Sequence, residues 1–65
     1  MYKLIQSTAV IDGKATVIYG IRCNGYVYPY ISESKDEVLA IIDLCNRYDV
    51  HPVHVPDVAE DYLHS

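Results

Sequence analysis

The chain has no tryptophan and no phenylalanine, so all seven of its aromatic residues are tyrosine. Each ring placed in a core therefore brings a hydroxyl that needs a hydrogen-bond partner. Cysteine is scarce: Cys23 and Cys45 fall short of the density of a secreted, disulfide-stapled miniprotein and read as two small buried hydrophobes kept reduced. Lys and Arg number five against nine Asp and Glu, too few to track a phosphate backbone, which disfavours nucleic acid as a partner. No apolar run is long enough to cross a bilayer, and Leu4-Ile5 followed by Gln6-Ser7-Thr8 makes no signal-peptide core, so a cytoplasmic protein without membrane association is expected. The Gly-rich phosphate loop, the nucleophile elbow and the dinucleotide fingerprint are also missing.

What is present is enough for one small globular domain over residues 1–65, with half the residues hydrophobic and no linker or repeat. A chain of this length buries only about 60% of its unfolded surface, so its core is small and association with a protein partner or with itself is expected. Charge is split along the chain. Residues 1–32 carry Lys3, Lys14 and Arg22 against Asp12, net +2, and residues 33–65 carry eight acids against Lys35 and Arg47, net −6.

Asp12-Gly13 and Asn24-Gly25 each separate runs of β-favouring residues. Both dipeptides accept the positive φ of type I′ turns, so the spacing predicts two hairpins and a three-stranded meander, roughly 2–11, 14–23 and 26–31. With two-residue loops, one sheet face takes Tyr2, Leu4, Val17, Tyr19, Ile21, Cys23, Tyr26, Tyr28 and Tyr30. The other takes Lys3, Ile5, Lys14, Ile18, Gly20, Arg22, Val27, Pro29 and Ile31, including every basic residue of the strands. The face without cations is the expected buried one. Pro29 then falls opposite Gly20 in a non-hydrogen-bonded position, where its missing amide costs no ladder bond and marks the third strand as an edge.

Ser34-Lys35-Asp36-Glu37 fits a capping box, with Glu37 expected to return a bond to the Ser34 amide. Val38, Ile41, Ile42, Cys45 and Tyr48 follow at helical spacing. Pro52 and Pro56 interrupt the chain after this helix, and Pro56 opens a short final helix whose apolar side is Val58, Ala59, Tyr62 and Leu63. The expected fold class is therefore α+β, a three-stranded antiparallel β-meander followed by two helices, with the long helix on the face bearing Val17, Tyr19 and Ile21.

Catalysis has little footing in this pattern. Cys45 and Cys23 sit on expected core faces, where burial makes a thiol inert, and no cofactor is implied. The segment bearing His51, His54 and Asp57 alternates imidazole with carboxylate and is the candidate metal site, although its ligands do not close a four-ligand pattern. Ile5, Ile18, Val27, Pro29 and Ile31 form an apolar patch rimmed by Lys3, Lys14 and Arg22, and Tyr26, Tyr28 and Tyr30 are aromatic anchors at the edge; together they are the interface candidates. The leading expectation is a non-enzymatic interaction or regulatory module, with a homodimer through that patch. The alternatives are a metal-binding protein using the His- and acid-rich tail, and an acidic phage-type inhibitor.

Tyr19-Gly20-Ile21, Ile31-Ser32, Asn46, His54, Asp57-Val58 and Glu60-Asp61 together resemble a family of small uncharacterised Firmicutes proteins classed as a domain of unknown function. The resemblance implies a bacterial cytosolic setting and brings no activity with it.

Overall fold

The structure is a computed structural model that describes residues 1–64. Strand β1 (Lys3–Ile11) turns at Asp12-Gly13 into β2 (Lys14–Cys23), which turns at Asn24-Gly25 into β3 (Tyr26–Ser32). The three strands form one antiparallel sheet in the order β1-β2-β3. Helix α1 (Lys35–Arg47) follows, then a single 3₁₀ turn (Pro52–His54) and helix α2 (Val55–Leu63). This is the expected β-β-β-α-α order.

The first hairpin has the expected register throughout, from Ile11 opposite Lys14 to Lys3 opposite Arg22. Asp12 (φ 52°) and Gly13 (φ 78°) both occupy the left-handed region, as a type I′ turn requires. In the second turn Asn24 (φ 54°) takes the positive φ and Gly25 does not. The second hairpin keeps its register only from Cys23 opposite Tyr26 to Ile21 opposite Tyr28; beyond that, Tyr19 pairs with Ser32. Gly20 alone on β2 thus faces Pro29, Tyr30 and Ile31 on β3.

The expected Tyr19–Tyr30 pairing and the regular ladder position of Pro29 are therefore replaced by a bulge. A strand leaves its ladder most cheaply where an amide is already missing, and Pro29 provides that place. Gly20 makes the other half of the arrangement possible: a Cβ there would lie 2.2 Å from the Tyr28 carbonyl oxygen and 2.7 Å from the Pro29 backbone. The bulge also exchanges two side chains. Ile31, expected on the outer face, packs against the core, and Tyr30, expected inward, is exposed.

Helix α1 starts where Ser34 takes a β conformation and its Oγ accepts the Glu37 N–H at 3.3 Å. The return bond runs through a third residue. The Glu37 carboxylate accepts the Ser32 hydroxyl at 3.0 Å, and the Ser32 oxygen accepts the Ser34 N–H at 3.1 Å. The helix ends in a Schellman arrangement, with Asp49 at φ 50° and the Val50 N–H donating to the Cys45 carbonyl at 3.0 Å. Val38, Ile41, Ile42 and Cys45 bury the inner stripe. Tyr48, expected on that stripe, is exposed, because at φ −101°, ψ 9° it is the C-cap and has left the helical path.

The core lies between one sheet face and α1: Tyr2, Ile21 and Cys23 meet Val38, Ile41, Ile42 and Cys45, and α2 closes one end with Val55 and Ala59. Leu4, Tyr19 and Tyr28 pack at its margin. The face assignment thus stands near α1, but Val17, expected under the helix, is 41% exposed, and Val10 farther out is 76% exposed. The turn end of the first hairpin extends past the end of α1, so the core face there is bare.

Candidate functional surface: one open sheet face

Helix α1 covers one face of the sheet; among the described residues no helix packs on the other, where the Tyr28–Pro29 backbone of β3 closes the space over Gly20. On this open face Ile5 faces Gly20 and Ser7 faces Ile18, which makes Ile5 and Ile18 diagonal neighbours. Both are half-buried, as is Pro29, while Val27 is 52% exposed. Ile31 does not belong to this patch, for the reason given by the bulge.

The charges on this face are one-sided. Lys3 lies directly opposite Arg22, and Arg22 lies opposite Val27 on its other side. Directly opposed like charges destabilise a strand pair. The ion pairs of the described residues are Arg47 with Asp43 along α1 and His54 with Asp57, so neither Lys3 nor Arg22 has a carboxylate partner. No open-face position of the paired strands holds an acid.

Around the β3 edge, the apolar surface continues into an open groove of about 370 Å³ between β3 and α2, lined by Val27 and Pro29 on one side and Val55, Ala59 and Leu63 on the other. The groove is hidden in the sequence because helical spacing counted from Pro56 puts Val58, Ala59, Tyr62 and Leu63 on the apolar side of α2 and leaves out Val55. Its buried residues are Val55 and Ala59; the Val55, Ala59, Leu63 spacing of four was the available signal.

The tyrosines divide by what their hydroxyls reach. The Tyr28 hydroxyl donates to the Pro52 carbonyl at 2.8 Å, and that of Tyr2 donates to the Val50 carbonyl. Both therefore tie the sheet to the segment between the helices, and Tyr28 is a half-buried structural residue where a binding anchor was expected. The Tyr2 amide donates to Asn46 Oδ1 at 3.2 Å, fixing the start of the chain to the end of α1. Burial, reinforced by the negative forms of Cys45, Cys23, Asp49 and Tyr28, pushes the Tyr2 phenol above its ordinary value. Burial and then Cys23 push the Cys45 thiol up, away from a nucleophilic thiolate. Both cysteines are free. Tyr26 and Tyr30 remain exposed at the edge, and Tyr26 meets the His51 ring edge-on at 6.1 Å between centroids.

The candidate metal residues lie near one another without converging. His51 Nδ1 accepts the Val53 N–H at 3.2 Å and so caps the 3₁₀ turn. His54 Nδ1 stands 3.7 Å from Asp57, with both side chains exposed. Among the described residues no three His, Cys, Asp or Glu side chains gather closely enough to hold a metal ion. No helix among them is long and apolar enough to cross a membrane.

A model described as "Family of unknown function (DUF6514)" matches residues 1–65, and the chain belongs to that family. No curated protein and no solved structure matches it.

Proposed function

We propose that this member of a family of unknown function is a non-enzymatic protein-interaction module that uses its open sheet face to dock a partner with an acidic rim. The observation that carries this reading is the Lys3–Arg22 pair: two cations opposed across strands, unneutralised, beside the apolar Ile5, Ile18 and Val27. Within the fold this arrangement only costs stability, whereas carboxylates from a partner would turn both cations to advantage around a desolvated apolar centre. The apolar groove beside β3, with no titratable side chain other than tyrosine on its walls, supports binding over catalysis. Two free, buried cysteines support a reducing compartment, consistent with a bacterial cytosol.

A second copy fits this face less well than an acidic partner does, because an isologous contact would bring Lys3, Lys14 and Arg22 towards their own copies. Affinity capture with the wild-type chain and with Ile18→Lys, both shown to be folded by circular dichroism, tests the reading. A charge in the patch centre should remove the captured partner. Equal capture by the two baits overturns it.

A further inference from the structure

We infer that the chain forms a two-fold dimer by antiparallel pairing of β1 with β1 of a second copy, making one six-stranded sheet. The two free edges of the sheet are unlike. β3 is blunted by Pro29 and its bulge, whereas β1 presents nine residues without proline, bulge or acid. Unprotected edges of this length template further strand pairing.

The self-complementarity of β1 gives the register. Ile11 and Lys14 close a two-residue turn, so they form a hydrogen-bonded pair, and alternation points the amides and carbonyls of Leu4, Gln6, Thr8 and Val10 away from β2. Antiparallel pairing centred on Ser7 uses all four. It sets Leu4 against the second copy's Val10 and Gln6 against its Thr8, apolar with apolar and polar with polar. On the open face it sets Ile5 against Ala9 and Lys3 against Ile11, so no like charges meet. A shift of two residues either way breaks the Leu4–Val10 match.

The bare turn end of the hairpin supplies the apolar area. The two-fold axis runs through the sheet at Ser7, so both copies of α1 lie on the same side and the strands run oppositely. The exposed Val10 of each copy then comes beside Leu4 of the other, at the margin of the core that α1 covers. The surface α1 leaves uncovered is covered by the neighbour. Charge favours the same edge: two chains of net charge −4 approach with least repulsion along a strand whose only charged residue is Lys3.

Light scattering on the full chain, with three variants, tests this dimer. The wild type should show twice the chain mass at micromolar concentration. Thr8→Pro removes an outward amide, costs no bond to β2, and should yield a folded monomer. Should Thr8→Pro fail to fold, Val10→Asp, which alters only an exposed side chain, should give the monomer. Ile18→Lys should remain dimeric, which separates this proposal from docking on the open face. A monomeric wild type, a folded and dimeric Thr8→Pro or Val10→Asp, or a monomeric Ile18→Lys each overturns the edge-paired dimer.

Discussion

The Tyr28 hydroxyl donates to the Pro52 carbonyl at 2.8 Å, bridging 24 residues of sequence. It joins β3 to the turn from which α2 departs, and so holds the two walls of the groove together. Tyr28→Phe keeps the ring and leaves the half-buried carbonyl without this donor, which should cost about 1 kcal/mol in urea unfolding. An unchanged midpoint would mean that the bond contributes nothing to the fold.

Gly20→Ala should be far worse than its size implies. The new methyl would enter backbone of Tyr28 and Pro29, with contacts of 2.2 and 2.7 Å, and backbone cannot rotate away as a flexible side chain can. Strain from overpacking is typically about 1–3 kcal/mol, and here it falls on a small core, so β3 should detach or the domain unfold. Calorimetry decides it: a melting temperature within a degree or so of wild type would show that the bulge is not seated on Gly20.

Alkaline pH should destabilise the fold. In the unfolded chain Cys45 and Tyr2 lose their protons at the ordinary values of 9.0 and 10.0, while burial in the fold raises both. A raised acid contributes its full stability below the unfolded value and loses it as pH climbs towards the folded one. Melting temperature, measured against pH, should hold up to about pH 9 and then fall. Tyr2→Phe should flatten the part of that fall above about pH 10, because the phenol that must ionise is gone; a curve that stays parallel to wild type would contradict this.

How far the sequence reveals this structure depends on whether a feature has a local cause. Asp12-Gly13 and the alternation of side chains are enough for the register of β1 with β2 and for the faces of Ile21 and Arg22. Ser34 and Glu37 are enough for the start of α1. The bulge is not legible, because Pro29 is equally compatible with a non-bonded ladder position and with a departure from the ladder. What decides between them is tertiary: Ser32 must reach both Tyr19 and Glu37. The fate of the tyrosine hydroxyls is hidden for a similar reason. Their acceptors are main-chain carbonyls 48 and 24 residues away, and a carbonyl leaves no mark on a sequence. Of the candidate patch, the alternation is enough for the faces of Ile5, Ile18 and Val27, whereas the bulge takes Pro29 out of the ladder and turns Ile31 to the core.

The central claim is that the open face is kept cationic for a partner, at a cost to the fold, and Lys3→Glu tests it most directly. The substitution sets an acid opposite Arg22 and should stabilise the isolated chain by about 0.2–1 kcal/mol. The measurement is the yield of in-cell photo-crosslinking from a photoreactive residue placed at position 18, compared between the wild-type background and Lys3→Glu. A discrete crosslinked partner is expected in the wild type, with a several-fold lower yield in the more stable variant. An equal yield in both, or no partner crosslinked from position 18 in the wild type, would contradict it.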